Sequence, residues 1–166
     1  MMTYRRMSNN IQAGFTILEL IIVVLIVGVL SGIAFVSYSG VQEKGRDAER
    51  QSDMIAVKSQ LETYFNDNGT YPIASTMTDD DASTIVGSSG ILKSLSADAL
   101  VNPLAPSGAT NSFAAISTGN PANDVYWYQS YDSDGSTVCS ATPCSKFKIM
   151  YTKEGDGTTI SLTSIN

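Results

Sequence analysis

The sequence predicts an α+β chain: one long N-terminal helix packed on a small antiparallel β-meander. Three observations carry this reading. An almost wholly apolar run over 15–36 passes without a break into an amphipathic stretch that ends at Asn68-Gly69, with Pro72 just beyond. The composition then turns polar and rich in Ser and Thr. Close to the C-terminus come three short β-prone segments, the last two separated by a glycine-containing turn.

The first fourteen residues, MMTYRRMSNNIQAG, carry two charges, Arg5 and Arg6. From Phe15 to Val36 there are 22 residues and a single charge, Glu19. As a helix they extend about 33 Å, enough to cross a bilayer. The basic residues place the start in the cytoplasm and the remainder outside. A secretory signal peptide competes with this reading, but the run is long for one and lacks a clean small-x-small cleavage site at its end. A carboxylate in a bilayer helix costs about 2.5–3.5 kcal/mol and calls for a partner. No Lys or Arg lies in the run. Cleavage between Gly14 and Phe15 would create one: an ammonium on Phe15, four residues before Glu19 on the same helix face. Glu19 would also lie near the positive end of the helix dipole. Between copies packed side by side, Glu19 of one would pair with the amine of another.

The second half, 37–68, is amphipathic. Met54, Val57, Leu61 and Tyr64 form one apolar stripe, widened by Ile55 and Phe65. Charges at helical spacing (Arg46/Glu49, Asp47/Arg50, Arg50/Asp53, Lys58/Glu62) read as a solvated face. Asn68-Gly69 ends the helix and Pro72 blocks its resumption. A helix from Phe15 to about Asn66 would be about 78 Å long.

In 69–166, "TMTDDDASTIVGSSG" reads as a solvated loop and "SGILKSLSADALVNP" as a short helix capped by Ser89. The strand candidates are 125–131, 146–152 and 158–165, with Glu154-Gly155-Asp156-Gly157 turning between the last two. Phe147, Ile149 and Tyr151 share one face, and Lys146, Lys148 and Met150 the other. Trp127 reads as a core or sheet-surface residue. Cys139 and Cys144 stand outside the cytoplasm by the charge rule, so a disulfide is the leading reading; a redox role would want C-x-x-C. Asp132, Asp134 and Gly135 begin like a calcium loop but lack its third acidic position and distal Glu, and a plain turn accounts for them.

Net charge is −6 and there is no histidine. A broad nucleic-acid footprint, a His-based zinc site and the commonest general base are thereby set aside. No phosphate loop or nucleophile elbow is present. The chain reads as a non-enzyme, and the sequence by itself implies no cofactor.

"AGFTILELIIVVLIVGVLSGIAFVSYSG" resembles the N-terminus of type IV pilins and type II secretion pseudopilins. That resemblance implies cleavage after Gly14 by prepilin peptidase, N-methylation of Phe15, and an assembly salt bridge from Glu19 to the Phe15 amine. It divides the chain into a leader (1–14), a transmembrane and assembly half-helix (15–36), an amphipathic half-helix (37–68) and a globular head (69–166). Many relatives carry a proline late in the apolar run. This chain has none there, and Gly28 and Gly32 supply either local helix weakness or a G-x-x-x-G packing face. "YFNDNGTYP" is similar to the helix end of the major pseudopilins, whereas "NPLAP" stands where those often have Pro-x-Asp-Pro. Pseudopilins bind calcium in C-terminal loops, which makes Asp124, Asp132 and Asp134 a candidate set. Pilins of the family often carry a C-terminal disulfide.

The function implied is a structural subunit of a type IV pilus-like surface filament, serving adhesion, twitching motility or DNA uptake. Its partners would be further copies of itself, prepilin peptidase, a cytoplasmic assembly ATPase, a membrane platform protein, and the cytoplasmic membrane before assembly. Whether the finished fibre contacts DNA or a host surface is not written in the sequence. The alternative is a major pseudopilin of a type II secretion system; more remote is an anchored binding domain that never assembles.

Overall fold

The computed structural model describes residues 14–116 and 118–165, without the side chains of 34–37 and 39. Arg5, Arg6 and the rest of the predicted leader before Gly14 lie outside the described residues. The chain divides into two compact units, Met1–Ser39 and Gly40–Asn166.

Helix α1 runs Ile17–Asn68, 52 residues. In the first unit its large apolar side chains from Ile17 to Leu30 are between 49% and 81% exposed. Among the described residues no helix is long and apolar enough to cross a membrane. The span predicted over 15–36 reaches into residues 34–36, whose side chains lie outside the description.

In the second unit, the α1 stripe of Met54, Val57 and Leu61 is fully buried. It faces a four-stranded sheet of order β1-β2-β3-β4: Phe113–Ala115, Tyr126–Tyr131, Lys146–Thr152 and Thr159–Thr163. The register puts Phe113, Tyr126, Tyr128, Phe147, Ile149 and Tyr151 on the inner face, where all are buried. Ile160 and Leu162 extend that face along the edge strand β4. Lys146, Lys148 and Met150 alternate with them on the outer face, as period-two patterning predicts.

The sheet is not the pure antiparallel meander expected. β2, β3 and β4 are antiparallel neighbours, but β1 pairs parallel to β2. The segment "FAA" is too short and weakly β-prone to announce itself, and its place is set by Phe113 packing at a tilt against Tyr126, ring centroids 5.3 Å apart. The helix predicted around 89–103 reduces to a 3₁₀ turn at Ala97–Leu100. The segment read as loop instead holds two one-turn helices, α2 Ala74–Met77 and α3 Ala82–Ile85. Asp81 caps α3 by accepting from the Ser83 backbone N–H.

At the end of α1, Gly69 sits at φ +70° and donates to the Phe65 carbonyl, the left-handed cap that glycine tolerates. The chain then turns back: Tyr71 is fully buried between Phe65 and Phe147, and its hydroxyl donates to Glu62. Tyr71 N–H donates to the Cys144 carbonyl, and Cys144 N–H donates to the Thr70 hydroxyl. The helix end is thereby stitched to the disulfide loop.

The charged face of α1 is not simply solvated. Arg50 is fully buried. Its Nη1 donates to Asp47 at 2.5 Å, its Nε donates to Asn102 at 3.3 Å, and its Nη2 lies 3.6 Å from Glu154. Arg46 donates through two nitrogens to Glu154 rather than pairing with Glu49. Asp47 accepts from the backbone N–H groups of Glu154 and Gly155. The β3–β4 turn therefore folds down onto α1 and converts charges expected in water into a tertiary clamp. Likewise Glu62 serves Tyr71 and the Ile165 N–H.

Candidate functional site

The site begins at the N-terminal end of α1. Thr16 precedes the first helical residue. Its hydroxyl oxygen accepts from the Glu19 N–H at 3.2 Å, while Glu19 Oε2 accepts from the Thr16 N–H at 3.2 Å and the Thr16 hydroxyl at 3.1 Å. This is a reciprocal capping box. It satisfies two of the helix's orphan N–H donors and sets a carboxylate at the positive end of the helix dipole. Glu19, expected at the helix dipole and beside an amine created by cleavage, thus also meets Thr16. The spacing Thr-x-x-Glu ahead of an apolar run was the overlooked sign that it has a partner in its own chain.

Phe15 is 89% exposed, directly ahead of the box, and Gly14 is exposed beside it. Beyond the box the helix is apolar and, over residues 20–33, exposed on all sides within its own unit. A surface of this kind is stable only in lipid or against other helices. A Cβ added at Gly28 or Gly32 would meet nothing within 4 Å, so both glycines present open backbone on this surface.

In the second unit, Cys139 and Cys144 form a disulfide with Cα atoms 5.7 Å apart. Both cysteines are buried, so the bridge staples the loop before β3 into the core. The calcium set is not assembled. Among the described residues no group of three or more His, Cys, Asp and Glu side chains could hold a metal. Asp134 spends its oxygens within its own turn, accepting from the N–H groups and hydroxyls of Ser136 and Thr137. Those donors hold its carboxyl far below the usual range. Asp124, Asp132 and Asp134 do not gather into such a group.

One carboxylate in this unit lacks compensation. Asp53 is half-buried; burial first, then the charges of Glu49 and Asp98, push it up to about 6, against a long 3.4 Å hydrogen bond from the Tyr126 hydroxyl. The fold thus favours the neutral acid. Stability from this group is complete below about pH 4 and is lost as pH rises towards about 6. Asp53→Asn is expected to raise stability at pH 7–8 by about 1 kcal/mol, after allowance for solvent screening. At pH 4 it should change little. Thermal unfolding at the two pH values checks both statements.

Comparison with known proteins bears on the N-terminal half. Residues 9–35 match the family model of the prokaryotic N-terminal methylation motif. The chain carries this motif at its N-terminal end. It is 41% identical over 61 residues to type II secretion system core protein G of Dickeya chrysanthemi, covering 37% of this chain and 40% of the relative. It is 35% identical over 65 residues to core protein G of Escherichia coli K12, covering 39% and 45%. It is 32% identical over 66 residues to fimbrial protein EcpC of Eikenella corrodens, covering 40% and 43%. The chain thus spans less than half the length of these relatives. No solved structure matches. The matched segment 9–35 contains the capping box and the exposed apolar stretch Ile17–Leu30.

Proposed function

We propose that this chain is a structural subunit of a type IV pilus-like surface filament. The observation that carries the reading is the exposed apolar stretch Ile17–Leu30 headed by Glu19, the one charge in that run. A helix of that kind needs copies of itself or lipid, and it serves both in turn. Before assembly, residues 15–36 hold the chain in the cytoplasmic membrane with the head outside. Prepilin peptidase removes residues 1–14, and Phe15 is N-methylated. An assembly ATPase and a membrane platform protein then move the helix from lipid into a bundle, where Glu19 exchanges its Thr16 cap for the Phe15 amine of a neighbour. The work is mechanical, without a catalytic step.

A second reading, a major pseudopilin of a type II secretion system, is favoured by the core protein G relatives. Imaging of native cells decides between them. Long sheared surface fibres containing this chain are expected for the pilus. Short envelope-confined fibres, with secretion lost on deletion, would establish the pseudopilus. A chain recovered only as membrane-bound monomer would overturn both.

A further inference from the structure

The head carries two complementary charged patches that form no ion pair among the described residues, although Asp79 accepts from the Asp81 N–H and Asp81 from Ser83 within the turn. On the outer face, beside the β4 edge, an open cleft of about 570 Å³ is lined by Tyr131, Asp134, Ser136, Lys146, Lys148 and Thr163. Lys146 and Lys148 form no ion pair among the described residues. Asp134 is the carboxylate lining the cleft, and its oxygens are taken by Ser136 and Thr137. Two ammoniums against one saturated carboxylate leave the cleft net positive in a chain whose net charge is −6.

The opposite patch is the turn Asp79-Asp80-Asp81, exposed at all three residues. It is held in place by its backbone. Asn111 Nδ2 donates to the Met77 and Asp79 carbonyls, and the Thr110 hydroxyl donates to the Asp80 carbonyl at 2.6 Å. Asn111 in turn accepts from the N–H of Phe113, the first residue of β1. The acidic turn therefore hangs on the β1 edge, while the lysine cleft lies beside the β4 edge. No Lys or Arg forms an ion pair with it among the described residues.

We propose that the acidic turn Asp79–Asp81 of one copy docks on the Lys146/Lys148 cleft of the next copy. This rests on the filament reading and names a head-to-head contact within it. Complementary patches at two separate places on one head, the β1 edge and the outer face of β3, make a heterologous contact, which propagates into an open helical array instead of closing as a dimer. Opposed like charges would otherwise keep heads of this net charge apart, so the pairing also fixes which edges meet.

The test is a charge swap in the full chain, in its native cells, read as the amount in the sheared fibre fraction. Lys146→Glu with Lys148→Glu, and separately Asp79→Lys with Asp80→Lys, are each expected to lower the fibre fraction about tenfold or more, because like charges then meet. Combining all four should restore it to within about twofold. Envelope levels and an intact Cys139–Cys144 bridge show that each variant folds. An intermolecular disulfide between Asp80→Cys and Lys148→Cys copies is the second expected result. Fibres at wild-type level from both reversals, no rescue in the combination, or loss from the lysine reversal alone would each overturn the docking. If the variants and wild type form fibres equally, only the docking fails. If wild type forms none, the filament reading fails with it.

Discussion

Glu19→Gln is expected to leave the chain processed and membrane-inserted at wild-type levels yet nearly absent from fibres. Glutamine can still accept from the Thr16 N–H, so the capping box survives and the helix starts where it did. The charge does not survive. In a bundle the Phe15 amine of a neighbour would then be buried without its counter-charge, at a cost of about 3–5 kcal/mol. That corresponds to more than about a hundredfold in assembly. Thr16→Val removes the box and keeps the charge, and should cost the helix start only about 1 kcal/mol. Quantifying processed chain in membrane and sheared fractions separates the two roles. Full assembly of the Gln variant would mean that Glu19 acts only as a cap.

The second large effect is expected in the head. Arg50→Ala strips the buried partner from Asp47, Asn102 and Glu154, and with it the buried part of the clamp between the β3–β4 turn and α1. Removing the fully buried member of this network costs about 3 kcal/mol, the lower end for a buried pair, because Glu154 keeps Arg46 and Asp47 keeps the Glu154 and Gly155 N–H groups. Thermal unfolding of the full chain in detergent should fall by on the order of 10 °C or more. Arg46→Ala removes the solvent-screened α1 guanidinium that meets the same turn and should lower the unfolding temperature far less. An Arg50→Ala chain as stable as the Arg46→Ala chain would show that the network does not hold the turn.

The contrast between these two sites explains what could be read before any coordinates. The long helix, its end at Gly69, strands β2 to β4 and the inward set Phe147, Ile149 and Tyr151 are written as periodicities and local stop signals. Such features depend on neighbours a few residues away. The Thr16–Glu19 box is equally local, although the same residues also carry a processing motif. Arg50 is different. Its burial depends on Glu154, 104 positions later, arriving through the β3–β4 turn, and a helical wheel can only place it among charges at i±3. β1 is likewise non-local: three residues become a strand because Tyr126 offers an edge. The candidate calcium acids fail for the converse reason, since nearness in sequence does not make Asp124, Asp132 and Asp134 converge.

The central claim is that Glu19 awaits an amine formed when residues 1–14 are removed. The most direct measurement is the intact mass, with N-terminal sequencing, of the chain sheared from native cells. The account predicts a chain that begins at methylated Phe15, two hydrogens light for the Cys139–Cys144 bridge, recovered with the fibres. A chain still carrying Arg5 and Arg6, found only in membranes, would contradict it.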